Sequence, residues 1–367
     1  MAGVYISYPF CAQKCTYCNF ASGVFPAELE PRYVNALVAE IAAHEWNWQP
    51  ETVYLGGGTP SGMSIGDLGR MLASVPGEPH WKEATLEVAP GIVTQERATA
   101  WATAGINRVS LGVQSFVQRE LARTGRKHSA EIVEHEMALL RAAGLRNINV
   151  DLIAGLPGQT RDSWRESIEW IERLLPPHVS VYMLEIDQDS RLGNEVLLNG
   201  KRYGAPDVPD DELTAELYET AVAELARMGI ERYEISNFAR PGFESLHNLK
   251  YWRLEPYVGF GADAHSFDGA VRSENIESPG DYVARIQSGA SACIGRTPAN
   301  RSEERFFVGL RLTRGIALEM EDWRRFEEPI QRFLADGLLA REHERLRLTD
   351  RGVLLSNEVF AEFITPA

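Results

Sequence analysis

Cys11, Cys15 and Cys18 stand in a C-x3-C-x2-C spacing, and the fourth cysteine, Cys293, lies far from them. Three thiolates this close together can converge on one small object. Soft sulfur ligands favour zinc or an iron–sulfur cluster. Structural zinc sites close on four ligands, usually as paired C-x2-C knuckles, and here the next histidine is His44. Three ligands leave one coordination position open, which suits a cluster that must touch a small molecule. The competing reading is three inert core cysteines, since free Cys is often buried. The tight clustering speaks against it.

Further polar groups fall at the ends of apolar runs. Thr52–Leu55 leads straight into Gly56-Gly57-Gly58-Thr59-Pro60. Glycines there let backbone N–H groups approach a ligand, or simply provide a turn with positive φ. Glu87 lies inside the apolar run Thr85–Val88, where an acid is costly without a task. Gln114 follows Arg108–Gly112, Arg126 sits between Gly125 and His128, and Asp151 interrupts Ile148–Ile153. A carboxylate, an amide and a guanidinium together suit a ribose diol and an amino-acid head group. Taken singly, each serves equally well as a structural partner.

The elements that must position these groups alternate. Val4–Ile6, Thr52–Leu55, Thr85–Val88, Arg108–Gly112, Ile148–Ile153 and Val179–Leu184 read as buried strands. Helices are predicted over 28–46, 65–75, 94–104 and 129–143. Another opens at Thr160 and Asp162, and a sixth is marked by Leu213, Leu217, Ala221 and Leu225. Residues 186–209 read as a polar loop. Six βα units with right-handed crossovers give an α/β fold with a parallel sheet. Either an incomplete parallel (β/α)6 barrel or a doubly wound open sheet follows from the pattern. In both, ligands bind at the strand C-termini, where each polar cluster falls.

The bulk composition is that of a soluble globular chain: 367 residues, 44% hydrophobic and 24% charged. No run approaches the ~18 apolar residues of a membrane span, and the start reads as no export signal. Clustered cysteines without a disulfide framework fit a reducing cytoplasm. A net charge of −15 argues against nucleic acid as the main partner, since phosphate neutralisation needs Lys/Arg clusters.

The cysteine run followed by Gly56–Pro60 resembles the radical S-adenosylmethionine (SAM) superfamily. The resemblance implies a [4Fe-4S] cluster on Cys11, Cys15 and Cys18, with SAM chelated at its open iron. It also implies an incomplete barrel and reductive splitting of SAM to methionine and a deoxyadenosyl radical. Pro9-Phe10-Cys11, Leu86-Glu87, Pro90-Gly91, Leu111–Ser115, Gly125-Arg126 and Gly155–Gly158 further resemble its coproporphyrinogen III oxidase-like branch. By that match Tyr5, Tyr17, Gly57, Gly58, Thr59, Glu87, Gln114, Arg126 and Asp151 would contact SAM. Ser7 and Ala89 depart from the branch, which has His and usually Asn there.

Two activities divide that branch. Its oxygen-independent coproporphyrinogen III oxidases carry a fourth cysteine two residues after the third, where this chain has Phe20. They also carry a long extension before the cluster, where this chain has ten residues. In the second half, His247-Asn248-Leu249-Lys250-Tyr251-Trp252 matches the H-N-x-x-Y-W signature of the branch's heme chaperones. Imidazole is a good axial ligand for heme iron, and Tyr and Trp offer flat apolar faces. His247, Asn248, Tyr251 and Trp252 are therefore the expected heme residues. His265 reads as either a second polar contact or a turn residue.

The resemblance thus implies a heme chaperone holding a [4Fe-4S] cluster, SAM and heme, and no catalytic residue is assigned. The alternative is oxidative decarboxylation of coproporphyrinogen III. Implied partners are heme, recipient hemoproteins of the respiratory chain and an electron donor, with a homodimer left open. The expected location is the cytoplasm, with a peripheral contact at the inner face of the membrane left open. Three segments are expected: 1–240 with the cluster and SAM site, 241–298 with the heme motif and a connector, and 299–367 as a small winged-helix-like domain.

Overall fold

The computed structural model describes residues 2–364. Met1 and residues 365–367, at the outer bounds of the first and last expected segments, lie outside the described residues. Six strands pair in parallel and in chain order: β1 (Gly3–Tyr8), β2 (Thr52–Gly57), β3 (Glu83–Val88), β4 (Arg108–Gln114), β5 (Asn147–Ala154) and β6 (His178–Met183). Helices Leu29–Ala43, Ile65–Leu72, Gln95–Thr103, Ala130–Ala142 and Arg161–Leu174 connect them, and Asp211–Arg227 follows β6. Side chains cap several starts: Ser64, Thr94, Ser129 and Thr160 each accept a hydrogen bond from an N–H in the first turn. The six expected βα units are present, with ends a few residues from those predicted.

The strand period sorts the side chains. Val4 and Ile6, Val53 and Leu55, Ala84 and Leu86, Val109 and Leu111, Ile148 and Val150 are buried in the apolar core. The alternate positions form a polar face in register: Tyr54 beside Thr85, Glu87 beside Ser110, Ser110 beside Asn149, Asn149 beside His178, Asp151 beside Ser180. An apolar face against helices and a polar face inside is the arrangement that lets a parallel sheet surround a site.

The sheet extends at both edges. Beyond β6 lie β7 (Glu231–Arg232) and β8 (Asn237–Ala239), with β8 antiparallel to β6. Beyond β1 lies β9 (Tyr257–Phe260), parallel to β1, then antiparallel β10 (His265–Phe267), β11 (Val271–Asn275) and β12 (Cys293–Pro298). The strand order β12-β11-β10-β9-β1-β2-β3-β4-β5-β6-β8-β7 does not close on itself, so the barrel is open. The 186–209 loop contains a helix, Arg191–Leu197, capped by Ser190.

The last part packs helices Arg301–Phe307, Met320–Arg325 and Glu327–Ala335 with a small sheet, β13 (Ile316–Ala317), β14 (Leu339–Glu342) and β15 (Arg345–Leu348). The β14–β15 hairpin turns at His343, whose φ is 57°. Thr349 caps helix Asp350–Leu354. Phe306 stacks on Phe363 at 4.3 Å between ring centroids and meets Phe326 at 4.6 Å.

Candidate functional site at the strand C-terminal ends

One cavity of about 510 Å³ opens at the C-terminal ends of β1–β6, and Cys11, Cys15 and Cys18 all line it. The cysteine loop is tied to the end of β2. Gly58 N–H donates to Tyr8 O at 2.7 Å and Thr59 N–H to Phe10 O at 2.9 Å. Gly58 permits this approach, because a Cβ there would stand 2.7 Å from Phe10 O and 2.8 Å from the Pro9 carbonyl carbon. Tyr17, Gly57, Gly58 and Thr59 line the cavity beside the thiols, and Glu87, Gln114, Arg126 and Asp151 line it further round the sheet. All four cysteines are free thiols. Among the described residues, no three His, Cys, Asp or Glu side chains already stand as a metal site; the three thiols share a wall instead.

The cavity's polar groups are held but not saturated. Tyr54 Oη donates to Glu87 Oε1 at 3.0 Å. Burial and the nearby Asp151 push the Glu87 carboxyl up to about 7, against hydrogen bonds from Tyr54 and the Gly57 N–H. Asp151 accepts from Ser110 Oγ at 3.0 Å and Asn149 Nδ2 at 2.7 Å. Burial raises its carboxyl, opposed by the hydrogen bonds it accepts from Ser180, Asn149 and Ser110. Arg126 donates through Nε to Tyr17 Oη at 3.1 Å and through Nη1 to Gly112 O. Gln114 sits at φ 70°, and its Oε1 is buried with no hydrogen-bond partner. Burial also raises the Cys11 thiol, opposed by Thr59 and Ser22.

The opposite end of the open barrel is plugged by helix Leu246–Trp252. Buried Glu83 on β3 caps it, accepting from Leu246 N–H at 2.8 Å, His247 N–H at 2.9 Å and Ser245 Oγ at 3.2 Å. His247 is fully buried. Its Nδ1 is 2.9 Å from Thr52 Oγ1 and its Nε2 2.8 Å from Tyr251 Oη. Its ring fits because position 3 is glycine; a Cβ there would lie 3.1 Å from His247 Cε1. Burial, with Lys250 and Arg108 nearby, holds the His247 imidazole down at about 3. Both His247 nitrogens are thus engaged by neighbouring hydroxyls, and the ring has no exposed surface. A second hydrogen-bonded relay links the helix to the site: Ser245 N–H to Tyr233 Oη, Tyr233 Oη to His178, His178 to Asn149, and Asn149 to Asp151.

A second cavity, of about 520 Å³, adjoins the first, with Tyr5, Tyr251, Trp252, Tyr257 and Phe267 in its wall. The two share a partition. Tyr5 stacks on Tyr54 at 6.2 Å, and Tyr54 lines the first cavity. Arg311 also lines the first cavity, and its guanidinium lies 4.5 Å from the Trp252 ring centroid.

Residues 5–171 match the radical SAM superfamily, and residues 297–355 match the HemN C-terminal domain. The heme chaperone HemW of Lactococcus lactis is 32% identical over 372 residues, spanning 98% of this chain and 96% of that protein. The heme chaperone HemW of Bacillus subtilis is 33% identical over 381 residues, spanning 99% of each. The chain belongs to the HemW family of radical SAM proteins. In fold it is also similar to the solved coproporphyrinogen III oxidase (HemN) of Escherichia coli, a radical SAM enzyme, with a TM-score of 0.85. That likeness covers 99% of this chain and 90% of the other at 21% identity, and it speaks for the fold alone.

Radical SAM membership implies a [4Fe-4S] cluster and SAM, and the residues present suit both. Three unpaired soft thiols share one wall with an orphaned buried amide oxygen, two carboxyls and a guanidinium. Of the residues expected at SAM, Tyr5 alone is not on this wall; it reaches the site only through Tyr54. Of the expected heme residues, Tyr251 and Trp252 line the second cavity, and His247 and Asn248 line neither. Sequence reasoning missed Tyr54, Ser110 and Tyr182, although each lies in phase with Glu87 or Asp151 on the polar face. Arg311 carried no such signal, since it enters from a short turn of the last segment.

Proposed function

We propose that this chain is a radical SAM-type heme chaperone that binds heme and passes it to hemoproteins of the respiratory chain. The observation that carries this reading is the pairing of two cavities. The thiol-lined one meets an aromatic one across the Tyr5–Tyr54 and Trp252–Arg311 contacts, and Tyr251 and Trp252 of the H-N-x-x-Y-W run line the aromatic one. The HemW relatives named above, similar over the whole chain, support it.

In this reading Cys11, Cys15 and Cys18 hold a [4Fe-4S] cluster. The cluster's chemistry, when bound and reduced by an electron donor, is one-electron delivery to SAM. Tyr17, Gly57, Gly58, Thr59, Glu87, Gln114, Arg126 and Asp151 enclose SAM, with Tyr5 supporting Tyr54 behind them. The orphaned Gln114 Oε1 accepts a donor from SAM, and Asp151 and Glu87 supply carboxylate oxygens for hydroxyl or ammonium donors. Tyr251 and Trp252 give heme its flat contacts, while His247 and Asn248 position them. The chain is divided at 240 and 298 in this account. No described helix is long and apolar enough to cross a membrane.

The test is an anaerobic heme titration of cluster-reconstituted protein. Wild type is expected to bind one heme per chain. The Tyr251→Ala/Trp252→Ala double variant is expected to keep its cluster absorbance and lose heme. Equal heme binding by a double variant with an intact cluster would remove the motif from the heme site.

A further inference from the structure

Asp151 lines the thiol-lined cavity. Asn149, His178 and Tyr233 do not, yet they reach it through hydrogen bonds. Asn149 and His178 are buried, so their polar atoms must find partners inside the protein. Burial, with the Arg108 guanidinium nearby, holds the His178 imidazole well below its ordinary range. The ring is therefore neutral and carries a single N–H.

The distances decide the direction of every bond in this chain. Asn149 Nδ2 lies 2.7 Å from Asp151 Oδ1. The reverse orientation of the amide would set its oxygen against the carboxylate. Asn149 Oδ1 therefore faces His178 Nδ1, at 2.6 Å. A carbonyl oxygen only accepts, so the imidazole proton is on Nδ1. His178 Nε2 then accepts from Tyr233 Oη, at 2.9 Å. Ser245 N–H donates to that same hydroxyl at 3.1 Å, which leaves the hydroxyl's own proton for His178. All donors point one way, from Ser245 through Tyr233, His178 and Asn149 to Asp151. Hydrogen bonds aligned in this manner strengthen one another.

His178 is the group that fixes the amide. Asn149 Nδ2 also lies 2.7 Å from Ser110 Oγ and 2.9 Å from Ser180 Oγ. Hydroxyls donate or accept, so both serines tolerate either amide orientation. Asp151 rejects the reversed amide only while it is ionised, because a protonated carboxyl could donate to the amide oxygen. Burial pushes the Asp151 carboxyl towards that protonated state. A fixed donor on Asn149 Oδ1 removes the reversed arrangement.

We propose that His178 is a positioning residue: by donating Nδ1–H to Asn149, it locks the amide that holds Asp151 as an acceptor for the hydrogen-bond donors of SAM. This rests on the SAM-binding reading of the cavity and adds to it the groups that prepare the carboxylate. Ser110 Oγ, 3.0 Å from Asp151 Oδ2, supplies a second donor to the carboxylate and leaves its remaining lone pairs for the ligand.

The experiment measures SAM binding by anaerobic equilibrium dialysis on cluster-reconstituted, unreduced protein, with the iron content of each sample. The samples are wild type, His178→Leu, His178→Asn, Asp151→Ala and the His178→Leu/Asp151→Ala double variant. His178→Leu should keep its iron and bind SAM about tenfold more weakly. His178→Asn should bind within about threefold of wild type, because its Nδ2 branches from Cγ as Nδ1 does and can donate to Asn149. Both variants lose the Tyr233 contact, so a merely structural role would weaken them alike. With Asp151 already replaced, His178→Leu should cost less than about twofold more, since His178 acts through that carboxylate.

Unchanged SAM affinity in His178→Leu, equal losses in His178→Leu and His178→Asn, or losses that multiply in the double variant would each overturn the positioning role and leave the SAM site standing. Should His178→Leu fail to retain iron, Asn149→Ala reads the same link. The same tenfold loss is expected there, and unchanged affinity would overturn the proposal. Failure of wild type to bind SAM, or full binding by Asp151→Ala, would defeat the SAM reading of this wall and the proposal with it.

Discussion

The thiol-lined cavity and the helix beneath it are built on one polar strand face, yet the two ends hold their key polar groups differently. At the strand C-termini the groups are left partly unmet: three free thiols, an orphaned Gln114 Oε1 and a Glu87 carboxyl raised to about 7. At the strand N-termini His247 is met on both nitrogens, and Glu83 accepts three donors. Buried polar groups are normally satisfied; the lower end has exceptions of its own in Arg108 Nε, Asn147 Oδ1 and Trp252 Nε1, so the contrast lies in the particular groups, with Glu83 and His247 met and Gln114 Oε1 not. A motif residue's identity does not reveal which end it serves; its hydrogen bonds do.

That contrast is broken most directly by exchanging function and stability. Cys15→Ser should abolish the [4Fe-4S] absorbance after reconstitution, while the apoprotein's unfolding free energy stays within about 0.5 kcal/mol of wild type. A reconstituted cluster of full iron content in this variant would contradict the ligand set.

His247→Gln should do the reverse, leaving the cluster and lowering stability. Its pH signature separates packing from charge. The folded chain keeps His247 neutral, while the unfolded chain protonates it below about 6.5. Its contribution is therefore present above pH 6.5 and lost as pH falls towards about 3, on the order of 5 kcal/mol in total. Denaturant midpoints between pH 4 and 7 should show wild type falling relative to the variant as the solution is acidified. Parallel curves would mean that His247 is not held neutral.

Gly58→Ala tests the joint between the two ends of the cysteine loop. The backbone contact at 2.7 Å must open, at a cost of about 2–3 kcal/mol, and the retained iron should fall with it. Normal iron content and stability would show that the loop does not lie against β2 as described.

Glu87→Gln gives the smallest effect, with the opposite sign to His247. Its carboxyl is raised in the folded state, so its contribution is present below about pH 4.5 and lost as pH rises through about 7. After allowance for the solvent the cavity admits, the loss is about 2 kcal/mol. Apoprotein midpoints should show wild type weakening relative to the variant across that window. A difference that grows towards acid pH instead would reverse the reading of Glu87.

The six βα units were legible because their apolar residues repeat at helix and strand periods long enough to count. The strands from 231 to 298 were not: they run two to six residues and mix polar side chains. Glu87 and Asp151 were visible as acids in apolar strands, and the cysteine trio by its spacing. Arg108, Asn149 and His178 share the same phase, but that phase emerges only from the pairing of neighbouring strands, which no single strand's sequence carries. The role of His247 was hidden for a different reason. Its partners Thr52 and Gly3 are close only in space, and no local pattern around residue 247 announces them.

The central claim is that this chain carries heme and does not decarboxylate coproporphyrinogen III. The direct measurement is made anaerobically on reconstituted protein with dithionite, SAM and coproporphyrinogen III, following protoporphyrinogen, with heme then titrated into the same sample. Stoichiometric heme binding without protoporphyrinogen is the predicted result. Protoporphyrinogen formed over many turnovers would contradict the account.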